Sequence, residues 1–71
     1  MNLELPIWHA SDGSVVSCTE KVKVMTENME ELAQMAQDAF EDALLMECEE
    51  SQIRAVFQDV IAQLENPYNK L

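Results

Sequence analysis

The chain has 71 residues, 48% of them hydrophobic, and carries a net charge of −10 from 14 acidic and 4 basic side chains. That length holds one small domain, residues 1–71, and the apolar content, with one glycine and two prolines, excludes a disordered tail. Lys21, Lys23, Arg54 and Lys70 form no cluster along the chain, which excludes nucleic acid and anionic membranes as partners because both require grouped cations.

The first residues lack a basic region followed by an apolar run, so they do not read as a secretory signal, and no apolar run approaches a membrane span. The expected location is cytoplasmic, and Cys18 and Cys48 are expected to be buried, reduced thiols. Leu3, Leu5 and Ile7 alternate with polar or breaking residues, and Asp12-Gly13 is a turn dipeptide followed by Val15-Val16. Residues 1–16 are therefore predicted to form an extended arm or a two-stranded β-hairpin, which must pack on something because an isolated hairpin is marginal in water. Trp8 is the expected anchor. His9, the only histidine, stands in no nucleophile motif and is expected to have no catalytic task.

Ser17-Cys18-Thr19-Glu20 fits the S-x-x-E capping box, so a long helix is predicted from about 17 to 47. The strand-like alternation of Lys21 to Val24 leaves open a later start, nearer Thr26 or Asn28. From Val22 the apolar positions fall at 22, 25, 29, 32, 36, 39, 43 and 46, the three-four alternation of an a/d seam. Its alanines at 36, 39 and 43 leave room beside them for a large side chain such as Phe57. The polar interruption Glu47 to Ser51 ends the stripe. Ile53, Val56, Phe57, Val60, Ile61 and Leu64 then predict a shorter helix from about 51 to 65, stopped by Asn66-Pro67, with residues 66–71 as a tail. Glu49 and Glu50 suit the start of that helix, and Glu50 and Arg54 form an i,i+4 pair. One uninterrupted coiled-coil helix is the alternative, since the heptad continues through 50, 53, 57, 60 and 64 with only Glu50 out of place. The breadth of the second stripe and ordinary helix lengths favour the all-α antiparallel hairpin.

The two predicted helices are unequal, roughly 45 Å and 21 Å at 1.5 Å per residue, which leaves the seam residues Val22, Met25, Met29 and Leu32 open beside Ala36. Either the arm, through Trp8, or a second copy must cover them. A twofold homodimer forming a four-helix bundle is the expectation. Nine carboxylates lie between Glu27 and Glu50 with no Lys or Arg among them. Glu31, Asp38, Glu41 and Asp42 first read as a solvated face; the sharper reading is a face for a basic protein partner. A carboxylate metal site is a third reading that the motifs do not support. Di-iron bundles need Glu-x-x-His pairs, no histidine lies in either predicted helix, and no stretch matches an EF-hand loop. The sequence therefore assigns no catalytic, metal or cofactor-binding residue and no cofactor. It points to a non-enzymatic acidic helical protein that acts through protein–protein contact and self-associates through its Met/Ala-rich seam. The alternative is a structural or accessory subunit of a larger complex.

Overall fold

The computed structural model describes residues 3–68, in which two α-helices occur and no strand. Helix α1 spans Thr19–Leu45 and helix α2 spans Glu50–Ala62. The chain divides into two compact units, Met1–Met35 and Ala36–Leu71, with α1 contributing to both.

In the first unit the arm makes one antiparallel bridge, His9 to Val15, rather than a strand pair. The Val16 N–H donates to the Trp8 carbonyl at 2.8 Å, and the Ala10 N–H to the Ser14 carbonyl at 2.8 Å. Between them Gly13 donates to Ala10 at 2.9 Å with φ at +90°. A Cβ at Gly13 would meet nothing within 4 Å, so the glycine is required by backbone conformation and not by space. Asp12 braces the turn by accepting from the Ser14 N–H at 2.9 Å and the Ser14 hydroxyl at 2.6 Å.

Helix α1 starts one residue later than the capping box implies. The Cys18 carbonyl accepts the first helical bond, from the Val22 N–H at 3.0 Å, which makes Cys18 and not Ser17 the N-cap. The half-buried line along α1 then runs through Val22, Met25, Thr26, Met29, Ala33, Ala36, Gln37, Phe40 and Ala43. It leaves the heptad positions at 32, 39 and 46, where Leu32, Ala39 and Met46 are exposed. The reason is geometric. With 3.6 residues per turn, an α-helix drifts about 20° per heptad from a 3.5-residue pattern, so the covered line moves one position on.

In the second unit α1 ends where Glu47 adopts φ +66°. The Glu47 N–H donates to the Leu44 carbonyl and the Cys48 N–H to the Ala43 carbonyl, each at 3.0 Å, the paired bonds of a Schellman cap. This break rules out the uninterrupted helix. Glu49 caps α2 with its side chain, accepting from the Ser51 N–H at 3.1 Å and the Gln52 N–H at 2.9 Å. Packing between the helices rests on Phe40 and Phe57, whose rings meet edge-on with centroids 6.4 Å apart. Ile53, 6% exposed, is the one buried residue among those described.

Candidate interaction surface

The residues able to engage a partner are set out by helical periodicity. On the first part of α1 the predicted seam residues Val22, Met25 and Met29 are half-buried, while Leu32 is 45% exposed. Trp8 on the arm is half-buried too, as is Ala36 at the start of the second unit. An open apolar cavity of about 460 Å³ lies along the first turns of α1, lined by Val16, Glu20, Lys21, Val24 and Met25. Val16 brings the arm to this cavity, so arm and helix share one apolar surface. That surface includes Met25 of the predicted seam.

The four carboxylates singled out from the sequence, Glu31, Asp38, Glu41 and Asp42, are all exposed. Glu41 accepts a hydrogen bond from the Gln37 side-chain amide at 3.0 Å. Among the described residues no group of three or more His, Cys, Asp or Glu side chains is placed to hold a metal ion. His9 is exposed at the arm's bridge. Two helix-borne cations pair with neighbours one turn away: Lys23 lies 3.9 Å from Glu27, and Arg54 lies 3.1 Å from Glu50, the pair read from the sequence. Arg54 also sits over the Phe40 ring, 4.7 Å from its centroid.

Both thiols correct the expectation of burial. Cys18 and Cys48 are free and exposed, because each stands at a helix boundary and not on a covered face. At Cys18 the boundary has a chemical consequence. The backbone N–H groups of Lys21 and then Glu20, at the start of the helix, favour the thiolate and hold the thiol below its ordinary range, with the Lys21 charge adding to the effect. Ser17 concealed this position, since it completes the capping box that the sequence displays. The sequence marks Glu49 only as a partner of the α2 dipole; as a side-chain cap it has its carboxyl held below the usual range, by the Ser51 hydroxyl first and then by the Ser51 and Gln52 N–H groups.

The largest unfilled demand is apolar. Among the described residues fourteen large hydrophobic side chains are at least 40% exposed, Leu45 at 83% and Met35 and Leu64 at 72% being among the most open. No described helix is long and apolar enough to cross a membrane. No protein-family model, curated protein or solved structure matches the chain.

Proposed function

We propose that this chain is a non-enzymatic interaction protein that completes its core by association, first with a second copy of itself. The observation that carries this reading is the single buried residue, Ile53, set against fourteen open large hydrophobics among the described residues. A chain that buries one residue and leaves fourteen large apolar side chains open keeps little of its apolar area from water, and association covers more of it. A chain this short also has little core with which to balance its conformational entropy. In the proposed twofold assembly the seam of α1, with Val22, Met25, Met29, Leu32 and Ala36, forms the shared contact, and Trp8 borders it. Glu31, Asp38, Glu41 and Asp42 remain at the surface and favour basic over acidic partners. A cytoplasmic setting suits two exposed free thiols.

Sedimentation equilibrium tests the reading directly. The wild-type chain is expected to sediment as a dimer, and Leu32→Glu, which places a charge in the desolvated contact, to shift it to monomer. A wild-type chain that is monomeric and cooperatively folded overturns self-association. A wild-type chain that is monomeric and poorly helical moves the assignment to an accessory subunit whose apolar surface is filled by a larger complex.

A further inference from the structure

The face of α2 is divided between an inner and an outer part. Ile53 and Phe57 turn inward, Phe57 onto the Phe40 ring. Beside them Val56 and Val60 stand one turn apart on α2, and Leu64 follows two residues past its end, so the three make an open apolar ridge at the exit of the helix. They are 52%, 57% and 72% exposed. Asp59, three residues beyond Val56, is its neighbour on the helix surface.

Charge selects the occupant of this ridge. Residues 36–71 contain eight carboxylates, Asp38, Glu41, Asp42, Glu47, Glu49, Glu50, Asp59 and Glu65, against Arg54 and Lys70, a net of −6. Arg54 is already engaged by Glu50 at 3.1 Å and by the Phe40 ring. A second copy laid on this ridge would bring the same excess of negative charge, and an anionic membrane would be repelled. A partner whose apolar row is bordered by Lys and Arg meets both demands at once: it covers the ridge and offsets the negative charge of this unit.

We propose that the ridge Val56–Val60–Leu64 docks a cationic amphipathic helix of a partner protein. The proposal rests on the reading of the chain as an interaction protein and adds the chemistry of its partner. Self-association stays on the seam of α1.

Three synthetic helices of about five turns test it by titration calorimetry: a Leu/Lys amphipathic peptide, a Leu/Glu peptide with the same apolar face, and a Leu/Lys peptide of scrambled order. The amphipathic cationic peptide is expected to bind at least about tenfold tighter than either of the others and to weaken as salt rises. Val60→Asp, and separately Leu64→Gln beyond the end of α2, are expected to reduce its affinity to the level of the scrambled peptide with the helical circular dichroism unchanged. Equal affinity for the ordered and scrambled cationic peptides overturns the proposal, as does a Val60→Asp variant that binds like wild type. So does a Val60→Asp variant that dissociates a wild-type dimer, since a second copy would then be the occupant. Sedimentation of the same samples separates the two readings: a dimer that binds no peptide removes this partner only, and a folded monomer that binds none removes both.

Discussion

At the scale of single residues, the boundaries between elements carry most of the chemistry. Glu47 occupies the C′ position of a Schellman cap with φ +66°, where glycine is the usual residue. Holding a side chain in the left-handed region costs roughly 1–2 kcal/mol, part of which a glycine returns through the greater freedom of its unfolded chain. Glu47→Gly is therefore expected to stabilise the chain by about 0.5–1 kcal/mol, a few degrees in Tm for a domain of this size. Glu47→Gln, which removes the same charge and keeps the Cβ, isolates the backbone contribution. Thermal melts of both variants decide it: if the glutamine variant gains as much as the glycine variant, relief of charge and not of strain is the cause. Cys18 makes the companion point at the other end of α1, where the first backbone N–H groups of the helix lower the pKa of an exposed thiol.

At the scale of the elements, α2 is anchored by its first turns and presents its remainder. Ile53 is 6% exposed and Phe57 half-buried, whereas Val60 is 57% and Ile61 50% exposed. Truncating a buried isoleucine removes its transfer energy and leaves a cavity, about 2–5 kcal/mol together, while a half-exposed valine loses under about 1 kcal/mol. Since a domain of this length commands only a few kcal/mol in all, Ile53→Ala is expected to abolish the cooperative urea transition and Val60→Ala to preserve it. Equal effects of the two substitutions would contradict Ile53 as the centre of the second unit. The helices themselves were legible in the chain, because Asn66-Pro67 and the polar run Glu47 to Ser51 interrupt otherwise periodic stripes. Their ends moved inward, from about 17–47 and 51–65 to Thr19–Leu45 and, at its far end, Ala62. Caps are formed by side-chain geometry that several neighbouring polar residues satisfy equally well on paper.

At the scale of the whole molecule, charge opposes self-assembly. Glu27/Glu31 and Asp38/Asp42 are like-charge i,i+4 pairs, each destabilising by a few tenths of a kcal/mol. Lys23, 3.9 Å from Glu27, is exposed, and such pairs contribute little. Raising monovalent salt shortens the Debye length from about 30 Å at 0.01 M to about 8 Å at 0.15 M. The melting temperature is accordingly expected to rise over that range, and any dimer to tighten, with sodium and potassium acting alike. Calcium at micromolar level that stabilises the fold where sodium does not would replace the solvated face with a true carboxylate site.

The sequence by itself determined that the chain forms two amphipathic helices joined by a polar break, with a turn at Asp12-Gly13 and an acidic surface. These properties follow from local periodicity, from φ-permissive residues and from composition, all of which are read without knowing any long-range contact. Tertiary structure decided which side chains are covered. It moved the buried line of α1 from Leu32 and Ala39 to Ala33 and Phe40, brought Phe57 against Phe40, and left Val56, Val60 and Leu64 in the open. Heptad spacing and helical spacing differ by only about 20° per seven residues, so within a few turns the pattern admits both lines. What packs on each part of the helix selects between them; in the second unit that neighbour is α2, placed by the cap at Glu47 and the capping carboxylate of Glu49.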